Sequence, residues 1–168
     1  MKKNSLINLT KGALYTIMAL FLAGTMINCG GGSSSGPVQV QVPKTLIQDY
    51  ISKHETMVDL SLVDLYAKDE RPRVAAAVNK TIDEMKSAGE LDKLLNATFD
   101  FSNTQIAVAG EKEEYVNDQP TRVIEVTVTG SYIMNQGQDS KTISANETIV
   151  LEMVNNNWVV TEKIHPWS

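Results

Sequence analysis

The stretch Ile124-Glu125-Val126-Thr127-Val128-Thr129 alternates apolar and polar side chains without a break. Successive side chains of a strand point to opposite faces of a sheet, so this period of two indicates a strand with one buried face. We expect Ile124, Val126 and Val128 to lie together in the core and Thr127 to lie on an opposite, solvated face. Such a strand needs neighbouring strands and a cover for its apolar side.

The same kind of pattern continues on both sides of this stretch and predicts four strands. They are expected over residues 103–116, 121–134, 141–154 and 158–165. The breaks at 117–120, 135–139 and 155–157 are rich in Asn and other turn-forming residues, a composition typical of hairpins. Short turns make consecutive strands antiparallel neighbours, so the sequence predicts a four-stranded antiparallel meander.

Helical periodicity precedes the strands. From Pro43 to about residue 68, apolar residues recur every three or four positions, which predicts one long amphipathic helix. After an interruption at Pro72, a second helix is expected over 72–88 and a short third turn over 90–95.

Amphipathic helices are the available cover for the sheet, so we predict a single α+β domain over residues 43–168. Ile51 of the first helix and Trp158 of the last strand should both be buried in it.

The beginning of the chain has the composition of an export signal. Lys2, Lys3 and Lys11 precede an apolar run of about a dozen residues that ends at Ala23. The single cysteine, Cys29, follows soon after and excludes an internal disulfide.

Three fates are open for this segment. The chain could be cleaved and lipidated at Cys29, cleaved as an ordinary secretory signal after Thr25, or retained as a membrane span. A span would use the 18 uncharged residues 12–29, which is the lower limit for crossing a bilayer. In each case the domain lies outside the cytoplasm.

Residues 1–36 resemble a bacterial lipoprotein signal. The matching parts are Lys2-Lys3, the run ending Phe21-Leu22-Ala23-Gly24, and Cys29 with its Gly/Ser-rich run to Gly36. Met26-Ile27-Asn28 departs from the usual Leu-Ala-Gly box. The resemblance implies a signal peptide over 1–28, a lipidated Cys29 opening a tether over 29–42, and anchoring in the bacterial cell envelope, at the outer membrane or cell surface.

The order of helices followed by a meander that ends in Trp158-Val159-Val160-Thr161 resembles the NTF2-like and cystatin-like α+β class. The resemblance covers residues 43–168 and implies helices packed on a curved sheet, forming a cone. Enzymes of the NTF2-like class place a carboxylate and a Tyr in a pocket of that cone. Candidates for such groups here are Asp64, Tyr66, Asp100, Tyr115 and Tyr132.

Charge and motifs exclude several classes of function. From Cys29 onward the chain has 12 Lys and Arg against 20 Asp and Glu, so a nucleic-acid partner is not expected. His54 and His165 stand apart from each other and from any metal-binding spacing. We therefore expect no metal, no cofactor and no catalytic residue.

A cystatin-type inhibitor is a third class. Residues 105–110 come close in sequence to its Gln-x-Val-x-Gly loop but are one residue too long. Pro166-Trp167 corresponds to its Pro-Trp pair. A strand with Ile106 and Val108 on one face explains the first segment more simply.

The function expected from the sequence is a lipid-anchored envelope protein with a non-catalytic binding or interaction domain, whose protein or small-molecule partner is unknown. The alternative is a small-molecule-binding or catalytic NTF2-like domain with a pocket between the sheet and the first helix.

Lipidation can be tested by intact-mass analysis of the membrane-extracted protein. We expect a chain that begins at Cys29 and carries acyl groups, and we expect Cys29→Ala to release the domain or leave the precursor uncleaved, because the chain has no other thiol. A form that starts at Met26, or a full chain without lipid, would contradict this prediction.

Overall fold

An antiparallel sheet of five strands forms the second half of the domain in a computed structural model, which describes residues 42–116 and 118–167. The strands are β1 (Thr98–Asp100), β2 (Thr104–Val116), β3 (Gln119–Gln136), β4 (Asp139–Val154) and β5 (Asn157–Val160). With the helices that precede it, the sheet confirms the α+β class. The predicted export signal, Cys29 and the tether up to residue 41 lie outside the described residues.

The predicted antiparallel meander is present as β2 to β5. β3 pairs with β2 on one side, where Val126 lies opposite Val108, and with β4 on the other, where it lies opposite Ile149. β4 in turn pairs with β5. Asn155 and Asn156 join these two strands with φ values of 50° and 64°, the left-handed conformations of a two-residue hairpin turn.

The expected number of strands is wrong, because β1 adds a fifth. β1 pairs with the far end of β3, on the same side as β2, so the chain must bend between β1 and β2. Gly130 of β3 makes room for this bend: its φ is 96°, and a Cβ at this position would lie 2.2 Å from the carbonyl oxygen of Asn103. A three-residue strand is too short to show a period of two in the sequence.

The last strand ends at Val160, not at residue 165 as predicted. The backbone N–H of Thr161 still donates to the carbonyl of Val150, at 3.0 Å. The next N–H, of Glu162, instead donates to the Glu70 carboxylate at 3.0 Å, which draws the chain away from the sheet edge.

Four helical segments precede the sheet: α1 (Lys44–Thr56), a 3₁₀ helix (Leu60–Leu65), α2 (Arg71–Ala88) and α3 (Leu91–Leu95). The single helix predicted from Pro43 to residue 68 is therefore wrong. Met57 ends α1 with a φ of 52°, and the Asp59 side chain then caps the 3₁₀ helix by accepting a hydrogen bond from Ser61 N at 2.9 Å. Val58 and Leu62, which follow this break, are also buried, so the apolar spacing in the sequence continues across it.

One buried cluster joins the helices to one face of the sheet, here called the helix side. It contains Ile47, Tyr50, Ile51, Leu62, Tyr66, Val74, Val78, Ile124, Val126, Val128, Tyr132, Ala145, Ile149, Leu151 and Val160. The burial of Ile51 and of the three apolar residues of the opening stretch is thus confirmed. Trp158 is only half-buried, because it packs at the margin of the cluster, with the Arg122 guanidinium 5.9 Å from its ring centroid.

The opposite face, here called the back of the sheet, is not simply solvated as predicted. Val123 and Glu125 are fully buried there, while Thr127 is half-buried. Residues 161–167 provide the cover: Trp167 donates its backbone N–H to the Glu125 carboxylate and lays its ring beside Gly110. A Cβ at Gly110 would lie 3.1 Å from Trp167 Nε1, so this glycine permits the close approach.

Two leucines of the 3₁₀ helix provide a matched test of the core. Leu62 is fully buried and Leu60 is 51% exposed, although they lie two residues apart. In urea unfolding of the full chain, we expect Leu62→Ala to lower the free energy of unfolding by about 2–5 kcal/mol, through lost burial and the cavity left behind. Leu60→Ala should cost less than about 1 kcal/mol. Equal costs would contradict the burial described here.

Candidate functional site

Three of the residues that the NTF2-like resemblance suggested lie at the surface. The Asp64 carboxylate is exposed and 3.6 Å from the Arg71 guanidinium. Asp100 accepts a hydrogen bond from Ser102 N at 2.9 Å, which holds the turn after β1 and lowers its pKa. Tyr115 is 76% exposed. The structure does not bring these three side chains together in one pocket.

The other two candidates, Tyr66 and Tyr132, are buried in the core. Tyr132 donates to the Glu55 carboxylate at 2.7 Å, and Tyr66 donates to the Glu162 carboxylate at 2.9 Å. Burial raises the pKa of both phenols, and the adjoining carboxylates raise it further. Both hydroxyls therefore stay protonated at neutral pH and act as hydrogen-bond donors inside the fold.

A chain of polar side chains connects the core to the C-terminal segment. Tyr50 Oη lies 3.3 Å from Tyr66 Oη, and Glu162 accepts hydrogen bonds from both Tyr66 and the Arg73 guanidinium, the latter at 2.7 Å. Each member has a partner, so the chain meets the requirement for burying polar groups. It also holds Tyr50 and Glu162 in place at the edge of the sheet.

A cleft of about 310 Å³ lies at this edge, where β5 has ended and β4 continues. We call it the edge cleft; among the residues that line it are Tyr50, Glu147, Thr148, Thr161, Glu162 and His165. Tyr50 comes from α1, Glu147 and Thr148 from β4, and the other three from the C-terminal segment. It is the place where these three parts of the chain meet.

Both histidines lie close to Tyr50. His165 lines the edge cleft with Tyr50, whereas His54 sits one helical turn along α1, with its ring centroid 5.3 Å from that of Tyr50. Both histidines are exposed. Among residues 42–116 and 118–167, no group of three or more His, Cys, Asp or Glu is placed to hold a metal ion.

Two polar groups of the edge cleft have features that the sequence did not indicate. Glu147 is exposed as a residue, but partial burial of its carboxyl raises the carboxyl's pKa; the charge of His54 opposes this shift and that of Glu55 adds to it. Thr161 is 2% exposed, and its hydroxyl oxygen has no hydrogen-bond partner among the described residues. An unsatisfied buried hydroxyl costs about 1–3 kcal/mol.

The backbone of β4 gives the cleft a further means of binding. The carbonyl of Val150 points outward, because it accepts from Thr161 N. Backbone groups of alternate residues in an antiparallel strand point to the same side, so the N–H and C=O of Thr148 also face the cleft. The arrangement can hold a ligand by backbone and side-chain hydrogen bonds.

No protein-family profile, curated protein or solved structure matches this chain. In the described part of the chain, no helix combines the length and the apolar character needed to cross a membrane.

The buried tyrosine chain can be tested against a matched surface tyrosine. Tyr66→Phe removes the hydroxyl that links Tyr50 to Glu162 and leaves a buried hydroxyl with one partner fewer, so we expect it to lower the free energy of unfolding by about 1–2 kcal/mol. Tyr115→Phe should change it by less than about 0.5 kcal/mol, since that side chain is exposed. Urea unfolding of both variants measures the difference, and a neutral Tyr66→Phe would show that the chain is not a stabilising feature.

Proposed function

We propose that this chain is a lipid-anchored protein of the bacterial cell envelope whose α+β domain binds a partner without catalysis, at the edge cleft. The anchor would be the acylated Cys29, and the Gly/Ser-rich run after it would hold the domain away from the membrane without fixing its orientation. The binding role rests on the edge cleft, where the buried Thr161 hydroxyl, which has no partner among the described residues, lies beside the outward-facing backbone groups of β4.

The filling of the core favours a binding domain over an enzyme of the NTF2-like class. Such an enzyme needs a pocket between the sheet and the first helix with polar groups inside it. Here Ile47 of α1 and Ile124, Val126 and Val128 of β3 are each fully buried in one apolar cluster. The polar groups converge at the margin of that cluster, in a cleft open to solvent.

The type of partner that fits best is an extended segment of another polypeptide. A strand that adds to a sheet edge gains backbone hydrogen bonds, and neighbouring side-chain pockets give it specificity. At the edge cleft, the backbone of Thr148 would supply such bonds, and the side chains of Glu147 and His165 also line the cleft.

A second candidate is a small-molecule-binding domain of NTF2-like shape. The observation in its favour is the size of the edge cleft: about 310 Å³ lies at the lower end of the range for small-molecule sites, and Tyr50 of the first helix forms one wall. In this alternative, the acidic Glu147 and Glu162 would select a polar or cationic compound.

A photo-crosslinking amino acid at position 148 tests the binding role. In the cells that make the protein, we expect it to form crosslinks with a discrete partner polypeptide when it replaces Thr148. The same group at Asn79, an exposed position of α2, should not form this product.

Native mass spectrometry of the full chain, purified from its own envelope, separates the two candidates. A bound compound that is lost in Thr148→Trp, which fills the cleft, would favour the small-molecule alternative. The absence of both a crosslink specific to position 148 and a bound compound would contradict the proposed binding role.

A further inference from the structure

A second cleft, of about 640 Å³, lies at the end of the sheet that carries the β2–β3 and β4–β5 turns. We call it the hairpin cleft. It is lined by Lys68, Asp69, Val116, Gln119, Thr121, Glu152, Met153, Val154 and Asn155. Of these residues, only Glu152 is a buried acid.

Glu152 is an unusual residue for its position. It lies on the back of the sheet opposite Val123 of β3, and it is only 3% exposed. Its Oε2 has no hydrogen-bond partner among the described residues. A buried carboxylate without a donor costs several kcal/mol, and an apolar residue of similar size would stabilise the sheet better. The stability of the fold therefore does not explain a glutamate here.

The charges around Glu152 are mainly negative. Burial raises the pKa of the Glu152 carboxyl; the charge of Lys163 opposes this shift, and the charges of Asp69 and Glu70 add to it. Lys163 is itself engaged by Asp69 in an ion pair. Glu70 is also buried, at 6% exposure, and its Oε2 likewise has no partner among the described residues. Lys163 is thus paired with Asp69 and leaves Glu152 Oε2 without a hydrogen-bond partner among the described residues, and Lys68 at the rim of the cleft is exposed.

The shape and lining of the hairpin cleft indicate which kind of cation it could bind. No group of three ligating side chains is present in the described part of the chain, which argues against a metal ion there. A primary ammonium is a compact charge with three N–H donors, so it can bond a carboxylate that offers little accessible surface. Val116 and Val154, which lie on the same face of the sheet as Glu152, provide apolar surface for the methylene groups that would carry it.

We propose that the hairpin cleft binds the primary ammonium of an alkylamine group, such as the side chain of a lysine in a peptide, with the Glu152 carboxylate as its acceptor. Val116 and Val154 contact the alkyl part, and Asp69 adds attraction at the rim. This site is separate from the edge cleft, so it does not depend on the function proposed there.

The proposal is tested with two small probes that differ in one group. Nα-acetyl-lysine amide carries the side-chain ammonium, whereas Nα-acetyl-norleucine amide has a similar side chain without it. In nuclear magnetic resonance titrations of the full chain, we expect the lysine probe to shift the backbone amides of Thr121 and Val154, and the norleucine probe to bind at least about tenfold more weakly.

Substitution of Glu152 then tests the acceptor. Glu152→Gln keeps the shape and removes the charge, so we expect it to weaken binding of the lysine probe by about tenfold or more. Glu84→Gln, on the exposed part of α2, removes the same charge from a distant position and should bind the probe like the unaltered protein.

A second variant leaves Glu152 in place. Thr121→Lys puts a tethered ammonium beside the cleft, from the same face of the sheet, and should reduce binding of the lysine probe by about tenfold or more. Equal binding of the two probes, unchanged binding in Glu152→Gln or Thr121→Lys, or no shift around the hairpin cleft would each overturn the proposal.

Discussion

The pairing of β3 with β2 and β4 is the interaction on which the rest of this domain depends. β3 is the longest of the described strands, and its hydrogen bonds to both neighbours satisfy its backbone while both of its faces are buried from Val123 to Val126. The apolar cluster with the helices forms on one face. The C-terminal segment is held on the other. A shift of one residue in the register of β3 would exchange these two faces along its whole length.

The back of the sheet explains the course of the C-terminal segment. Trp167 reaches Glu125 with its backbone and Gly110 with its ring, and the Lys112 ammonium lies 4.0 Å from the centroid of that ring. These contacts satisfy one of the two buried glutamates of this face. The other, Glu152, borders the hairpin cleft, and its Oε2 has no hydrogen-bond partner within residues 42–116 and 118–167. The same face therefore contains one buried carboxylate that accepts a hydrogen bond, that of Glu125, and one, that of Glu152, with an oxygen that accepts none from the described residues.

Both clefts form where regular pairing stops. The edge cleft begins where β5 ends. From that point on, the outer side of β4 pairs with no other strand among the described residues. The hairpin cleft lies beside the turns that end two hairpins. In each, a nearly inaccessible polar side chain has an oxygen without a hydrogen-bond partner in the described part of the chain: Thr161 Oγ1 in one cleft and Glu152 Oε2 in the other. Sites of this kind fit a domain that binds through the margins of a filled core.

The sequence by itself determined the α+β class, the antiparallel meander and the helix-side residues of β3, because a strand's period of two depends only on local geometry. The break at Met57 was missed, since its apolar spacing continues from α1 into the 3₁₀ helix; the capping Asp59 was the signal for it. Of the candidate site residues, only His165 proved to line the edge cleft, while Tyr66 and Tyr132 proved to be buried donors.

Only the tertiary structure decided the rest. The burial of Glu125 and Glu152, the cover provided by Trp167 and the meeting of Tyr50 with Glu147 and Thr161 each join residues far apart in the chain. Local pattern cannot report such contacts, because whether a polar side chain is solvated or buried depends on which distant segment crosses over it.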